Sequence, residues 1–256
     1  MTKFYIITHK KFKEPKLDGY IPIQVGAIGK SSLGYLNDAV GENISNKNSH
    51  YCELTGIYWI WKNEKNVDIV GINHYRRYFC REFSLLRKRL LTTQDAEKML
   101  EQYDIILPKR EPLKESAWDE YLMVSGLEKD LLTVKKIIMT DYPEMMAAFE
   151  CYFSSNQSHL YNMMICPKNI FDSYCTFLFD VLEKLENTVD YSQYDDYQKR
   201  IYGFMGERLL NVWCLYKGLT IKELPVIQTE MSIGERIKIF LRRYKNRFIW
   251  YRTKRG

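Results

Sequence analysis

The sequence predicts an α/β fold with a largely parallel central sheet. Three observations carry this. Short buried apolar runs alternate with longer amphipathic segments, the pattern of strands separated by helices. The apolar runs end on polar or glycine-rich residues. The chain of 256 residues is 46% hydrophobic and 27% charged, proportions that support one sizeable core and argue against disorder.

Lys3 to His9 reads as the first buried strand, and the opening MTKFYIITHKK, with no small-residue cleavage site, reads as that strand and not as a signal peptide. Tyr20 to Gly26 is the second strand. Residues 27 to 48, rich in Gly, Asn and Ser, form a long loop, and loops of that length in a compact domain tend to carry function. A helix begins near Asn48 or Ser49, either of which can cap it. Leu54, Ile57, Tyr58 and Trp61 give that helix an apolar face.

Asp68 to Asn73 is a buried strand that delivers HYRRYF at its carboxyl end. Thr92 with Asp95 opens a helix running to about Gln102. Ile105 to Leu107 is a strand stopped by Pro108. Residues 115 to 153 read as mostly helical, broken around Asp141-Tyr142-Pro143. His159 to Cys166 reads as a strand. Helices follow from Asn169 to Glu186 and from Gln198 to Lys217, then a last strand from Thr220 to Leu224. No apolar run approaches the roughly 18 to 20 residues needed to cross a bilayer.

The net charge of +6 is unevenly placed. Residues 234 to 256 carry nine Lys or Arg and one acid, Glu235, a balance of +8 that leaves −2 for the rest. The chain therefore divides into one domain, 1–233, and a basic tail, 234–256. A nearly neutral body offers no broad face for nucleic acid. In the tail, Ile237, Phe240, Leu241, Tyr244 and Phe248 share one helical face, with Lys and Arg crowding the other. Such a helix suits the headgroup region of an anionic membrane, or it folds back on the body. The six cysteines form no CxxC pair and read as reduced core thiols of a cytosolic protein. The four histidines are too scattered for a structural zinc site. The 20 Tyr and 5 Trp suit sugar rings but at helical spacing serve a core equally well.

In open α/β sheets ligands sit outside the carboxyl ends of the strands. That rule points to Thr8 and His9, to Val25-Gly26-Ala27, to His74-Tyr75-Arg76-Arg77 and to the segment after Cys166. HYRRYF sets three potential cations, His74, Arg76 and Arg77, at one strand end, where a pyrophosphate would gain charge-assisted hydrogen bonds; the arginines could instead pair with carboxylates of the body. Gly26 would let backbone approach a ligand, or would simply turn the chain. Asn43, Glu53 and Thr55, around a loop-to-helix junction, could bond a base or ribose, or only cap the helix.

The segments YCELTGIYWIWKN (51–63) and VGINHYRRYF (70–79) resemble those of a family of bacterial capsular and exopolysaccharide biosynthesis glycosyltransferases. The resemblance continues through PIQVGA (22–27), GYLNDAVGENIS (34–45), DIILPK (104–109), HLYNMMI (159–165) and GFMGERLLNVW (203–213). It implies a GT-A-like, Rossmann-type nucleotide-sugar fold and a hexosyltransferase using a nucleotide-sugar donor. That donor is expected to be a UDP-sugar, with galactofuranose as one sugar the family suggests. The acceptor would be a surface polysaccharide or its lipid-linked precursor, placing the protein in the cytoplasm, peripheral on the inner face of the plasma membrane. On this resemblance Thr8, Val25, Gly26, Ala27, Asn43, Glu53, Thr55, His74, Arg76 and Arg77 belong to the donor side. His159, Asn162 and Met163 would contact the acceptor or sugar. By analogy with glycogenin-type transferases, Glu207 would act as general base, against the alternative of a helix-surface acid paired with Arg208 or Arg200.

Many GT-A enzymes hold a divalent metal, Mn or Mg, on a D-x-D motif. Here His74-Tyr75-Arg76 stands at that topological position, and cations could neutralise the leaving diphosphate instead. Two rival functions are a non-catalytic nucleotide- or sugar-binding module of a polysaccharide assembly complex and a peripheral membrane adaptor acting through the tail.

Overall fold

Strand β1 (Thr2–Thr8) forms the axis of the sheet in the computed structural model, which describes residues 1–82, 89–124 and 126–253. Its side chains alternate between two cores, as the period of two in a strand requires. Tyr5 and Ile7 enter a large core on one face, and Phe4 enters a smaller one on the other. On one side β1 pairs in parallel with β2 (Tyr20–Gln24), which pairs with the short β3 (Leu36–Asn37). The loop from 27 to 48 is organised around buried Asp38, whose carboxylate accepts the N–H groups of Gly26 (2.8 Å) and Ala27 (3.0 Å) and the Ser45 hydroxyl (2.6 Å).

The helix expected from residue 48 is split. One turn, α1 (Asn48–Tyr51), ends at Cys52 with φ 53°, and α2 (Leu54–Asn63) starts anew. Asn48 does not cap α1. Its Nδ2 donates across the break to the Cys52 carbonyl (2.7 Å) and to Thr55 Oγ1 (3.0 Å). Leu54 and Ile57 are fully buried, while Tyr58 and Trp61 pack more shallowly at the edge of the large core.

β4 (Ile69–His74) lies parallel to β1 on its other side. The chain then reverses at Tyr75-Arg76 into β5 (Arg77–Phe79), which pairs back through His74 and Arg77. Helix α3 (Thr93–Leu100) is capped as expected, with Thr92 Oγ1 accepting the Asp95 N–H at 3.1 Å. It leads to β6 (Ile105–Pro108) and the two-residue β7 (Glu111–Pro112). The helical stretch resolves into α4 (Ala117–Val124), α5 (Glu128–Asp141) and α6 (Met146–Phe153), with Pro143 opening a short 3-10 turn after α5. β8 (Gln157–Ser158) pairs with β7.

The strand expected over 159–166 shrinks to β9 (Ile165–Pro167). Tyr161 (φ 83°) and Asn162 (φ 50°) lie in the left-handed region, which no strand can continue through. β9 runs antiparallel to both β4 and β6. Its incoming end, not its outgoing one, therefore lies beside the carboxyl end of β4. This moves the site segment from after Cys166 to before Ile165.

Helix α7 (Lys168–Glu186) fills the large core with Phe171, Tyr174, Leu178 and Leu182, and α8 (Ile201–Lys217) crosses beside it, ending on left-handed Gly218. β10 (Ile221–Leu224) pairs in parallel with β6. β11 (Val226–Gln228), absent from the sequence expectation, pairs antiparallel with β5. The main order is β10-β6-β9-β4-β1-β2-β3, mostly parallel. All six cysteines are free thiols, but Cys151 is exposed and Cys52 only partly buried, so these two are not core residues.

The tail forms α9 (Ile233–Thr253). It docks on the body through Arg243, whose guanidinium meets Glu111 Oε1 at 2.5 Å, and through Asn246, which donates to the Pro112 carbonyl at 3.3 Å. The expected apolar stripe faces outward: Ile237, Leu241, Tyr244 and Phe248 are 46%, 59%, 68% and 56% exposed. The Phe240 side chain, Lys254 and Arg255 lie outside what is described. Among the described residues no helix is long and apolar enough to cross a membrane.

Candidate active site

The carboxyl ends of β1 and β4, the α1–α2 break and the start of α8 surround a cleft of about 290 Å³. Thr8, Val25, Glu53, His74, Arg76 and Arg77 line it, so six of the ten residues assigned to the donor side come together. Asn48, Cys52 and Arg200 line it as well, and sequence reasoning did not single them out for the site. The only local signal for them was the asparagine- and serine-rich junction before α2.

Gly26 and Ala27 sit next to this cleft with their N–H groups given to Asp38. A side chain at Gly26 would strike Asn48, whose carboxamide lies 2.4 Å from the position of a Cβ, and φ of 59° also favours glycine. Asn43 and Thr55 are scaffold residues in this structure. Asn43 Nδ2 donates to the Gly41 carbonyl (2.8 Å), and Thr55 is fully buried with its hydroxyl in the α1–α2 break.

His74 is not a cation. Burial, then the charges of Arg77 and Arg76, push its pKa down to about 3, against a hydrogen bond to the Tyr161 backbone. Its Nε2 is buried without a partner, as is Nε of Arg77. An orphaned buried N–H is rare in folded proteins, and that of Arg77 suits an incoming acceptor such as a phosphate oxygen. Arg77 is held by stacking, its guanidinium carbon 4.5 Å from the centre of the Tyr161 ring. Arg76 is exposed and lies over Tyr75 at 5.5 Å. Neither arginine has a carboxylate within ion-pair distance in the described structure.

Two carboxylates stand behind Arg77. Glu53 is clamped by Asn162, whose Nδ2 donates to Glu53 Oε1 (2.7 Å) and to the Gly203 carbonyl (2.9 Å). Burial raises the pKa of Glu53, and Asn162, Arg200 and Arg77 oppose that rise. Glu207, on α8, accepts the Tyr161 N–H at 2.9 Å. Burial pushes its pKa up to about 7, helped by the charge of Glu53 and opposed by Arg208, the Tyr161 N–H and Arg77. Its side chain is 22% exposed, so it is no surface residue. Arg208 is mainly engaged elsewhere, donating to Glu120 at 2.8 Å and standing 3.9 Å from Glu207. A carboxyl poised near neutrality beside a cation is the arrangement a general base needs.

Of the residues expected against acceptor or sugar, Asn162 belongs to this cluster. His159 and Met163 are placed behind it. His159 is buried with Nδ1 2.6 Å from the Pro108 carbonyl, tying the approach to β9 onto β6. Met163 is fully buried in the smaller core with Phe4 and Phe79.

The acids that could stand in for a D-x-D motif, Asp38, Glu42 and Asp68, do not converge. Asp38 serves backbone, Glu42 pairs with Lys62 at 3.1 Å, and Asp68 is exposed at the far end of β4 beside the N-terminal amine. Among the described residues no group of three or more His, Cys, Asp or Glu could hold a metal ion. These residues do not fit a resident cation.

No curated protein matches the chain. Among solved structures it is similar to the apo structure of the bifunctional glycosyltransferase WbbM, with a TM-score of 0.82 and 28% identity over 90% of this chain. The chain spans 45% of that protein. The fold is thus the GT-A-like α/β arrangement expected. The family described as Domain of unknown function (DUF4422) matches residues 3–218, and the chain belongs to it.

Proposed function

We propose that the protein is a glycosyltransferase that moves a sugar from a nucleotide-sugar, a UDP-sugar in this reading, onto a surface-polysaccharide acceptor. The observation that carries it is the convergence on Tyr161 of an arginine with an orphaned buried N–H and a glutamate held near neutrality. The likeness to WbbM supports the same class. In the reaction, an acceptor hydroxyl attacks the anomeric carbon of the donor and a new C–O bond forms. The bond from that carbon to the diphosphate breaks, and Glu207 takes the hydroxyl proton. Arg77 and Arg76 meet the charge growing on the departing diphosphate, where a preorganised cation acts most strongly. Thr8, Val25 and the backbone at Gly26-Ala27 border the nucleoside.

Nucleotide choice is tested by thermal denaturation with UDP, UDP-sugars, GDP and CMP. At a hundredfold excess over Kd a ligand of the folded state adds about 2.7 kcal/mol, a rise of roughly 5–10 °C in a domain of this size. UDP is expected to give that rise. A rise with GDP or CMP and none with UDP would reject the assignment, and a UDP shift with no turnover of any donor would favour the binding-module alternative.

The outward stripe of α9 supports peripheral attachment to an anionic leaflet on the cytoplasmic side, each nearby basic residue contributing about 1 kcal/mol. The full chain should co-sediment with anionic vesicles at low salt and be partly released at 1 M, where the Debye length is about 3 Å. A chain ending near Ile233 should fold, bind donor and stay in the supernatant. Equal vesicle binding by both would remove α9 as the anchor.

A further inference from the structure

A second cavity, of about 600 Å³, opens between the body and α9, within the span of about 300–1,000 Å³ typical of small-molecule sites. Its walls include Glu111, Tyr161, Glu223, Val226, Arg243 and Tyr244. It differs from the donor cleft in every lining residue, yet Tyr161 joins them. The Tyr161 ring lies under Arg77 and its N–H holds Glu207, while its phenol lies within the fields of Glu111 and Arg243 from α9's side and of Arg77 and Glu207 from the other. One wall of the cavity is therefore a single residue away from the carboxylate that would take the acceptor proton.

The chemistry of the walls is specific in kind. Glu223 is paired with Arg110 at 2.5 Å and Glu111 with Arg243 at 2.5 Å. The lining charges sum to zero, Lys109, Arg110 and Arg243 against Glu82, Glu111 and Glu223, so the cavity does not favour a free anion. It offers paired hydrogen-bonding groups beside two phenol rings, a combination that suits the hydroxyls and apolar faces of a sugar. Arg243 and Asn246 dock the α9 wall on β7.

We propose that this cavity binds the saccharide end of the acceptor, with Arg243 and Tyr244 of α9 as one wall. The proposal rests on the transferase reading for the word acceptor, but binding of a sugar there does not. The tail then serves the reaction twice: Ile237, Leu241 and Phe248 face outward toward the leaflet, while Arg243 and Tyr244, the latter at the edge of the stripe, face the sugar that the lipid carries.

The test is saturation-transfer NMR on the full chain with the methyl glycosides of glucose, galactose, mannose and N-acetylglucosamine, probes with no lipid to engage the apolar stripe. At least one should receive saturation from the unmodified protein. Val226→Trp, which fills the cavity from β11, should abolish it. Tyr244→Ala, on an exposed position of α9, should weaken binding about tenfold. Circular dichroism melts establish that each variant is folded. If Val226→Trp does not fold, Tyr244→Ala decides alone. No saturation of any probe by the unmodified protein, or undiminished binding in a folded Val226→Trp or in Tyr244→Ala, would overturn the proposal. Sugar binding that is lost in the variants, in a protein that turns over no donor, would instead sink the transferase reading and leave the cavity assignment standing.

Discussion

Replacing Glu207 with glutamine is expected to lower kcat by roughly 10² to 10⁴ while donor KM stays near that of the parent protein. Glutamine keeps the shape and can still accept the Tyr161 N–H, so the loss isolates proton transfer. The pH dependence makes the assignment sharper. With its pKa pushed up to about 7, Glu207 becomes competent as a base only as pH rises through that value. The parent kcat/KM should therefore climb across pH 6 to 8, and the residual activity of the variant should not. Stability runs the opposite way. A carboxyl whose folded pKa is raised from 4.5 to about 7 favours folding below the lower value and loses that contribution as pH rises to the upper one. The parent should lose stability across this window, and Glu207→Gln should flatten the decline. Near-normal kcat in the variant, or an unchanged pH limb, would remove Glu207 from the chemistry.

Arg77→Ala is the second large effect. Loss of a charge-assisted bond to the diphosphate costs about 1.5–3 kcal/mol, which is tenfold to more than a hundredfold in donor affinity, read by titration with UDP. A further signature separates this from a general weakening of the fold. Arg77 holds the pKa values of Glu53 and Glu207 down and that of His74 down as well. Without it both carboxyls should titrate higher, so the rising limb of the kcat/KM profile should move to higher pH. Full donor affinity with an unmoved limb would show that Arg77 only packs against Tyr161.

Much of this architecture was legible in the sequence because its causes are local. The apolar run of β1, the Thr92 cap and the extents of α7 and α8 each follow from neighbours a few residues apart. Cys52 and Tyr161-Asn162 were not legible. The run HLYNMMIC carries a strand pattern, yet its backbone is turned by partners far along the chain: Glu53 and Gly203 on Asn162, and Glu207 on the Tyr161 N–H. The charge of His74 was misread for the same reason. A histidine in a string of basic residues looks cationic, and only its burial against two arginines makes it neutral. At the site, the residues lying at strand ends were found, whereas Asn48, Cys52 and Arg200 were missed because the α1–α2 break and the start of α8 meet only in three dimensions.

Tyr161 has one more consequence. A side-chain-bearing residue at φ 83° holds about 1–3 kcal/mol of backbone strain, which glycine would not. Glycine, however, would leave Arg77 with no ring to rest on. At this position backbone ease and side-chain placement oppose each other, and the chain gives up some of its margin against unfolding to keep a phenol beneath Arg77 and beside the α9 cavity. Programmes that raise the melting temperature by relieving strained backbone would choose this residue early, and it is the one such programmes should leave alone.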